Sequence, residues 1–302
     1  MLDRLPETDT RRETGAMDTR FWLLQVFNGV SYGALLFLLG SGLSLIFGVM
    51  RIVNIAHGSY FLLGSYVALT VIWTTGSWLL ALPAGALAIG LIGLATERIF
   101  LRPLGFDVLR QVLVTFGFML LFQQAALDIW GGDNFMINPP AQLTRSIVVG
   151  GLHLPLYRIF MIALAAAIGL VLWLLLERTR VGAVVRATVD DAEMARGIGI
   201  DTARVSMLVF ALGALLAGLG GVIGGAFLGV YPGVDLQILP IAFAVVIIGG
   251  MGSLAGAAIG AVLVGLADNF GKALFPEISY FTLYAPMVLL LAVKPTGLFG
   301  RE

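Results

Sequence analysis

Cysteine is absent from the sequence, and histidine occurs only at His57 and His153. Without cysteine the chain can form neither disulfides nor zinc–thiolate sites nor iron–sulfur clusters. Because the chain has only these two histidines, we expect no histidine pair to hold a metal or to serve a nucleophile. We therefore expect this chain to contain no catalytic residue, no metal site and no bound cofactor.

Charge is also scarce, at 12% of residues, whereas an ordinary soluble domain has about 25%. Hydrophobic residues make up 59% of the chain, and the mean hydropathy is +0.98. A soluble fold of this length could not hide so much apolar surface, so we expect lipid to be the solvent for most of it. The formal net charge of zero provides no basic surface for nucleic acid.

A nucleotide-binding P-loop is missing as well. That motif ends in Gly-Lys followed by Ser or Thr, but the Gly271-Lys272 pair is followed by Ala273. Residues 250–255, GMGSLA, imitate a dinucleotide-binding fingerprint without the strand–turn–helix unit that it requires. Close packing of membrane helices explains these glycines better. The chain therefore has no ATPase site of its own.

Apolar runs long enough for membrane spans dominate what is present, since about 20 residues suffice for one span. They predict an all-α polytopic membrane protein with about eight transmembrane segments. Residues 1–20 are polar and lack the apolar centre of a signal peptide, so we interpret them as a disordered leader before a single domain at 21–302. The runs lie at 21–50, 52–75, 78–99, 108–130, 156–176, 205–230, 238–267 and 280–293.

The seventh run is interrupted by GGMGSLAG at 249–256. Its glycines could break the helix into a discontinuous or re-entrant element near 238–268. They could equally form the packing face of one long helix. Four residues of this stretch are candidates for a pathway or structural role, namely Gly249, Gly250, Gly252 and Ser253.

Arginines indicate the orientation of the chain. The link at 98–110 carries three of them and is expected to be cytoplasmic under the positive-inside rule. Alternating the spans then places the loop at 131–155 outside and the polar stretch at 177–204 in the cytoplasm. Within the outer loop, SIVVGGLHLP at 146–155 predicts a β-hairpin with a two-residue Gly-Gly turn.

The stretch at 177–204 is the most polar part of the chain. Thr188 followed by Asp191 fits a capping box, and Gly197 is placed for a left-handed cap two turns later. This short helix could rest in solvent on its own protein, or it could dock into a cytoplasmic partner that supplies energy. The predicted docking residues are Thr188, Asp190, Asp191, Ala192, Glu193, Ala195, Arg196 and Gly197.

Two polar residues, Asn54 and His57, interrupt the apolar surroundings of RIVNIAHGSY at 51–60. They are candidates either for structural hydrogen bonding or for lining a pathway. Four acidic residues map near the ends of apolar runs, which disfavours a proton-driven carrier. They are Glu97, Asp107, Asp128 and Asp268.

Three stretches resemble LivH-type permeases of bacterial branched-chain amino acid ABC importers. They are NGVSYGALLFLLGSGLSLIFGVMRIVNIAHGSYFLLGSYVAL at 28–69, VRATVDDAEMARGIGID at 185–201, and VVIIGGMGSLAGAAIGAVLVGLAD at 245–268. The second is similar to that family's ATPase-contacting loop. The resemblance implies an inner-membrane permease domain with four kinds of neighbour: a second homologous permease, two ATPase subunits that bind ATP, a periplasmic substrate-binding protein and the lipid bilayer.

Other functions remain open at this point. Urea and short-amide permeases of the same family have similar membrane subunits, and an autonomous channel or ion-coupled carrier is a different class of alternative. If the family interpretation holds, a binding protein supplies the affinity. A weakly binding cavity with polar backbone contacts near 249–256 would then suffice in the permease.

Overall fold

The computed structural model describes the chain over residues 10–105 and 107–300. These residues form eleven α-helices and one two-stranded sheet, with short π and 3-10 turns at 96–104 and 276–278. The elements are α1 Thr10–Met50, α2 His57–Thr75, α3 Trp78–Ala95, α4 Val108–Trp130, β1 Ser146–Val149, β2 Leu152–Pro155, α5 Leu156–Arg178, α6 Arg180–Asp190, α7 Ala192–Gly197, α8 Thr202–Gly224, α9 Val234–Gly249, α10 Leu254–Leu274 and α11 Ser279–Val293.

The all-α polytopic prediction is confirmed, but the count of about eight segments is not. Among the described residues, six segments are long and apolar enough to cross a membrane, while α9 and the apolar part of α11 are shorter. Residues 1–9 of the predicted leader lie outside the described residues, and α1 begins at Thr10, within that leader. The six are Thr19–Met50, Trp78–Leu104, Val108–Trp130, Leu156–Arg178, Thr202–Gly224 and Leu254–Leu274.

Close helix packing forms the centre of the molecule. α8 packs against α1, α2 and α3, and α1 also packs along α10. A Cβ atom added to Gly64 of α2 would overlap the backbone of Gly218 in α8, and one added to Gly218 would overlap Ile89 of α3, so α8 approaches both helices closely only because these residues are glycine. The high glycine content is thus used for packing within the chain.

The interrupted seventh run is two helices rather than one. Gly250 and Gly252 lie between α9 and α10 with φ angles of 99° and 83°, which a right-handed helix cannot contain. Ser253 then begins α10, because its Oγ accepts a hydrogen bond from the N–H of Gly256 at 3.0 Å. The discontinuous arrangement is therefore the one that the chain adopts.

The outer-loop hairpin is also confirmed. β1 and β2 are antiparallel, with Val149 opposite Leu152 at the turn. Gly150 and Gly151 have φ angles of 58° and 81°, as a type I′ turn requires at both central positions.

The hairpin and the loop helices α6 and α7 lie at opposite ends of the bundle, because α5 connects them. We call these the hairpin end and the loop-helix end. At the loop-helix end a small apolar cluster joins Leu45 near the end of α1, Leu172 of α5, Val185 of α6 and Val205 of α8. The opposite placement agrees with the predicted orientation of residues 131–155 and 177–204.

Candidate functional site

The loop helix α7 is capped by Asp191. The Oδ1 atom of Asp191 accepts hydrogen bonds from the N–H groups of Glu193 and Met194, both at 2.9 Å. The predicted cap at Thr188 is wrong: this residue is buried inside α6, and its hydroxyl donates to the Val184 carbonyl at 2.9 Å. Thr188 cannot act as a cap because α6 continues through Asp190.

The C-terminal end of α7 contains a left-handed glycine, but it is Gly199 and not Gly197. Gly199 has a φ angle of 90°, whereas Gly197 is the last helical residue. The N–H of Ile200 donates to the Ala195 carbonyl, and the N–H of Gly199 donates to the Arg196 carbonyl, both at 3.0 Å. This pair of bonds is a Schellman motif, which requires the positive φ one residue beyond the C-cap.

α7 rests on the protein along one side and exposes apolar side chains on the other. Ala195 is 2% exposed on a helix that contacts α6 and α8, while Met194 and Ile198 are 64% and 70% exposed. Of the predicted docking residues, Thr188 and Ala195 are thus buried within the chain, and Ala192 is half-buried. The exposed ones are Asp190, Asp191, Glu193, Arg196 and Gly197.

The glycine break lies at the same end and is covered by the C-terminal segment. The backbone N–H groups of Leu298 and Phe299 donate to the carbonyls of Ile248 and Gly249, at 2.9 and 3.0 Å. The chain itself therefore satisfies both carbonyls, and Gly249 belongs to the 249–256 stretch that was predicted to offer polar backbone contacts to a transported molecule. An added Cβ on Gly249 would overlap the backbone of Gly256, so these glycines close the α9–α10 hairpin.

Gly250, Gly252 and Ser253 likewise contact their own chain. A Cβ added to Gly250 would overlap the backbone of Gly300, and one on Gly252 would lie 3.1 Å from the Cα of Gly48. The carbonyl of Ser253 accepts a hydrogen bond from the Ser44 hydroxyl at 3.3 Å. These contacts hold the break against the end of α1.

Asn54 and His57 are completely buried. The Nε2 atom of His57 lies 3.0 Å from the Leu39 carbonyl in α1, which is a structural contact between helices. In the described part of the chain, the side-chain amide of Asn54 has no hydrogen-bond partner. Neither residue lines the two cavities described below, so a pathway role for them stays a prediction.

A buried carboxylate that the sequence analysis missed lies at the start of α9. Asp235 is 1% exposed, and its Oδ2 atom accepts hydrogen bonds from the Ser59 hydroxyl and the Gln123 amide, both at 2.8 Å. Residue 235 falls between two apolar runs, which hid its burial. The available signal was Ser59 and Gln123, two polar residues within apolar runs.

Gln123 also lines a cavity of about 460 Å³ beside this carboxylate. The cavity lies between α4 and the link that precedes α9, where it is bounded by Leu120, Leu127, Pro232 and Gly233. It carries side-chain amides but no basic group among its lining residues.

A second cavity, of about 370 Å³, lies between α1, α9, α10 and α11. It contains an ion pair on α10, in which the Lys272 Nζ atom is 2.7 Å from Asp268 Oδ2. The Lys272 ammonium also lies 5.7 Å from the centre of the Tyr32 ring. The cavity lies at the hairpin end. Its lining residue Tyr32 stacks on Phe227, and the guanidinium of Arg158 lies over the same Phe227 ring. Arg158 belongs to the start of α5, which directly follows the hairpin.

These elements define a polytopic α-helical membrane protein with exposed loop helices at one end and a charged cavity at the other. The sequence pattern of a family described as "Branched-chain amino acid transport system / permease component" matches residues 25–291. The chain therefore belongs to this family and is a multi-pass protein of the bacterial inner membrane. The resemblance seen in three stretches of the sequence is confirmed.

Individual relatives cover nearly the whole chain. It is 31% identical to the high-affinity branched-chain amino acid transport system permease protein LivH of Escherichia coli (strain K12), over 93% of this chain and 96% of that protein. It is 28% identical, with the same coverage, to the corresponding protein BraD of Pseudomonas aeruginosa. The permease protein LivM of Salmonella typhimurium is 28% identical over 86% of this chain and 67% of its own length. No solved structure matches.

Proposed function

We propose that this chain is the membrane-spanning permease subunit of an ABC importer that carries branched-chain amino acids across the inner membrane. ATP hydrolysis takes place in two separate cytoplasmic ATPase subunits, and a periplasmic binding protein delivers the substrate. The proposal combines the family membership with the lack of any P-loop in the sequence. Because LivH and LivM are both permease proteins of such systems by name, a second homologous permease completes the membrane part.

The observation that carries the coupling part of this proposal is the exposed side of α7. Met194 and Ile198 place two large apolar side chains in water at the loop-helix end. Exposed apolar groups on a short, well-capped helix are suited to insertion into a partner. The Asp191 cap and the Schellman motif hold the helix in shape before it meets that partner, which lowers the ordering cost of docking.

Reconstitution tests the proposal directly. The chain is placed in proteoliposomes alone, then with the neighbouring permease, ATPase and binding-protein gene products, with and without ATP. We expect uptake of radiolabelled leucine only in the complete, ATP-supplied system. Uptake by the chain alone would contradict the proposal and establish an autonomous carrier or channel, and uptake of urea but not leucine would assign the substrate to the amide branch.

A further inference from the structure

The ion pair of Asp268 and Lys272 has an unusual setting for two charges on neighbouring turns of an apolar helix. Asp268 is buried, whereas the Lys272 side chain is 62% exposed. A pair with one exposed partner contributes little net stability. Because a buried carboxylate left unpaired is strongly destabilising, the exposed lysine can leave Asp268 only as another cation takes its place.

The rest of the cavity lining is mixed, with aliphatic side chains beside the polar residues Tyr32, Tyr231, Gln237, Ser279 and Tyr284. Its walls include branched aliphatic side chains from α9, α11 and the turn that follows α8, and its volume of about 370 Å³ is within the range of small-molecule sites, about 300–1,000 Å³. The cavity thus combines aliphatic wall surface with one carboxylate and one ammonium group. The aliphatic residues are Leu228, Val234, Ile238, Ile241 and Leu283.

A free α-amino acid carries the complementary set of groups, namely an ammonium, a carboxylate and a side chain. When its ammonium replaces Lys272 at Asp268 and its carboxylate pairs with the released Lys272, one ion pair becomes two and no charge is left alone. We infer that this cavity is a transient binding site for zwitterionic, aliphatic α-amino acids on the permease itself. The inference rests on the proposed function and adds the chemistry by which the membrane subunit contacts its cargo.

The location agrees with this role. The cavity lies at the hairpin end of the bundle, opposite the loop helices, and under the predicted orientation this end faces the periplasm. A substrate released by a binding protein would reach Lys272 first, because this side chain is the exposed member of the pair. The site therefore lies at the entry side of the permease.

Ligand-observed NMR on the purified full chain in lipid nanodiscs tests the site without partner subunits. The probes are leucine, 4-methylpentanoate, which lacks the ammonium, and 3-methylbutylamine, which lacks the carboxylate. We expect leucine to bind about tenfold more tightly than either analogue, because each analogue lacks the charged group for one of the two ion pairs. Equal binding of the three probes, or no leucine binding, would overturn the inference.

Variants separate substrate binding from a structural ion pair. Lys272→Met should remove the advantage of leucine over 3-methylbutylamine, and Asp268→Asn should remove its advantage over 4-methylpentanoate. The double exchange Asp268→Lys with Lys272→Asp restores an ion pair on the helix but reverses the polarity of the site. We expect it to fold and to remain defective, and recovery of leucine binding in this variant would show that the pair is only structural.

The matched control is Asp128→Asn. Asp128 is an exposed carboxylate in an i,i+4 hydrogen bond with Gln124, and this change should leave leucine binding unaltered. Leucine uptake in the complete reconstituted system keeps the two proposals apart. If the wild-type complex takes up leucine and the Lys272→Met and Asp268→Asn complexes take it up equally well, the cavity is not a substrate site, and the importer proposal stands. Expected binding without uptake by any complex would support the cavity and contradict the importer.

Discussion

At the residue scale, the described part of the chain contains a few buried polar groups in an apolar bundle, and some of them, unlike the Asn54 amide, are held by side chains of other helices. Asp235 is the clearest example, because its carboxylate receives two side-chain hydrogen bonds from two other helices. A carboxylate buried without such donors would be strongly destabilising. These contacts tie α9 to α2 and α4 at the level of the cavity beside Gln123.

Replacing Gln123 by leucine should therefore lower the stability of the purified chain. The change removes one of two donors to a buried carboxylate, at a cost of about 1–3 kcal/mol. The neighbouring change Gln124→Leu removes only the surface bond to Asp128 and should have little effect. Thermal unfolding in detergent measures both variants, and equal melting temperatures would show that the Gln123 bond does not support the fold.

At the element scale, the loop helices combine a fold-supporting side with an unpartnered side. Ala195 and Val185 are buried against the bundle, while Met194, Ile198 and Val181 remain exposed. Capping by Asp191 and Gly199 defines α7 although a helix of this length is marginal alone. In the proposed importer, this capped element is the one that would contact the ATPase partner.

The position of the left-handed glycine gives a local test. Gly199→Ala places a Cβ on a residue with positive φ and should destabilise the loop by about 1–2 kcal/mol. Gly197→Ala should be tolerated, because residue 197 is helical and open space surrounds its Cβ position. The rate of limited proteolysis within 190–202 reports the difference, and faster cleavage of the Gly197→Ala chain would contradict the assigned Schellman motif.

The exposed side of α7 gives a second test at this scale. Met194→Asp places a charge on a surface that the proposed ATPase partner would bury, so we expect the complex to lose leucine uptake and substrate-stimulated ATP hydrolysis. Stability of the isolated chain should not change, since Met194 is 64% exposed. Val181→Asp is the control for a charge on a nearby exposed apolar residue of α6. Full coupling in the Met194→Asp complex would refute docking through α7.

At the scale of the whole molecule, the permease does not need to hold its cargo tightly. The affinity of the proposed importer resides in its binding protein, and a tight site in the membrane would slow release. The cavity at the hairpin end matches this requirement, because its lysine is exposed and already paired within the chain. Substrate binding there would have to break the existing Asp268–Lys272 pair before two new ion pairs form, which keeps the net affinity low.

We therefore expect the isolated chain to bind leucine, isoleucine and valine with millimolar or weaker affinity. This limit corresponds to a binding free energy of about −4 kcal/mol. Equilibrium dialysis against the purified chain measures it directly. Micromolar binding without partners would be inconsistent with the importer and would favour a carrier that has its own high-affinity site.

The sequence by itself determined the class of the protein, because local patterns encode it. The hairpin SIVVGGLHLP forms where its short pattern predicts it. The apolar runs predict the all-α membrane class, although only six segments of the described residues are long and apolar enough to cross a membrane. The glycine-rich break was recognised as a possibility, but only the backbone angles of Gly250 and Gly252 decided it. The sequence correctly predicts a side-chain cap for the loop helix but assigns it to Thr188 instead of Asp191, because both residue types are suitable caps.

Tertiary structure decided which polar groups meet. The Asp235 carboxylate accepts hydrogen bonds from Ser59, which is 176 positions away in the sequence, and from Gln123, which is 112 positions away. No local pattern encodes such contacts. The same holds for Tyr32, which approaches Lys272 across the α1–α10 interface. Local propensities act within a few residues, whereas the cavity and its charges arise only when close glycine contacts bring distant helices together.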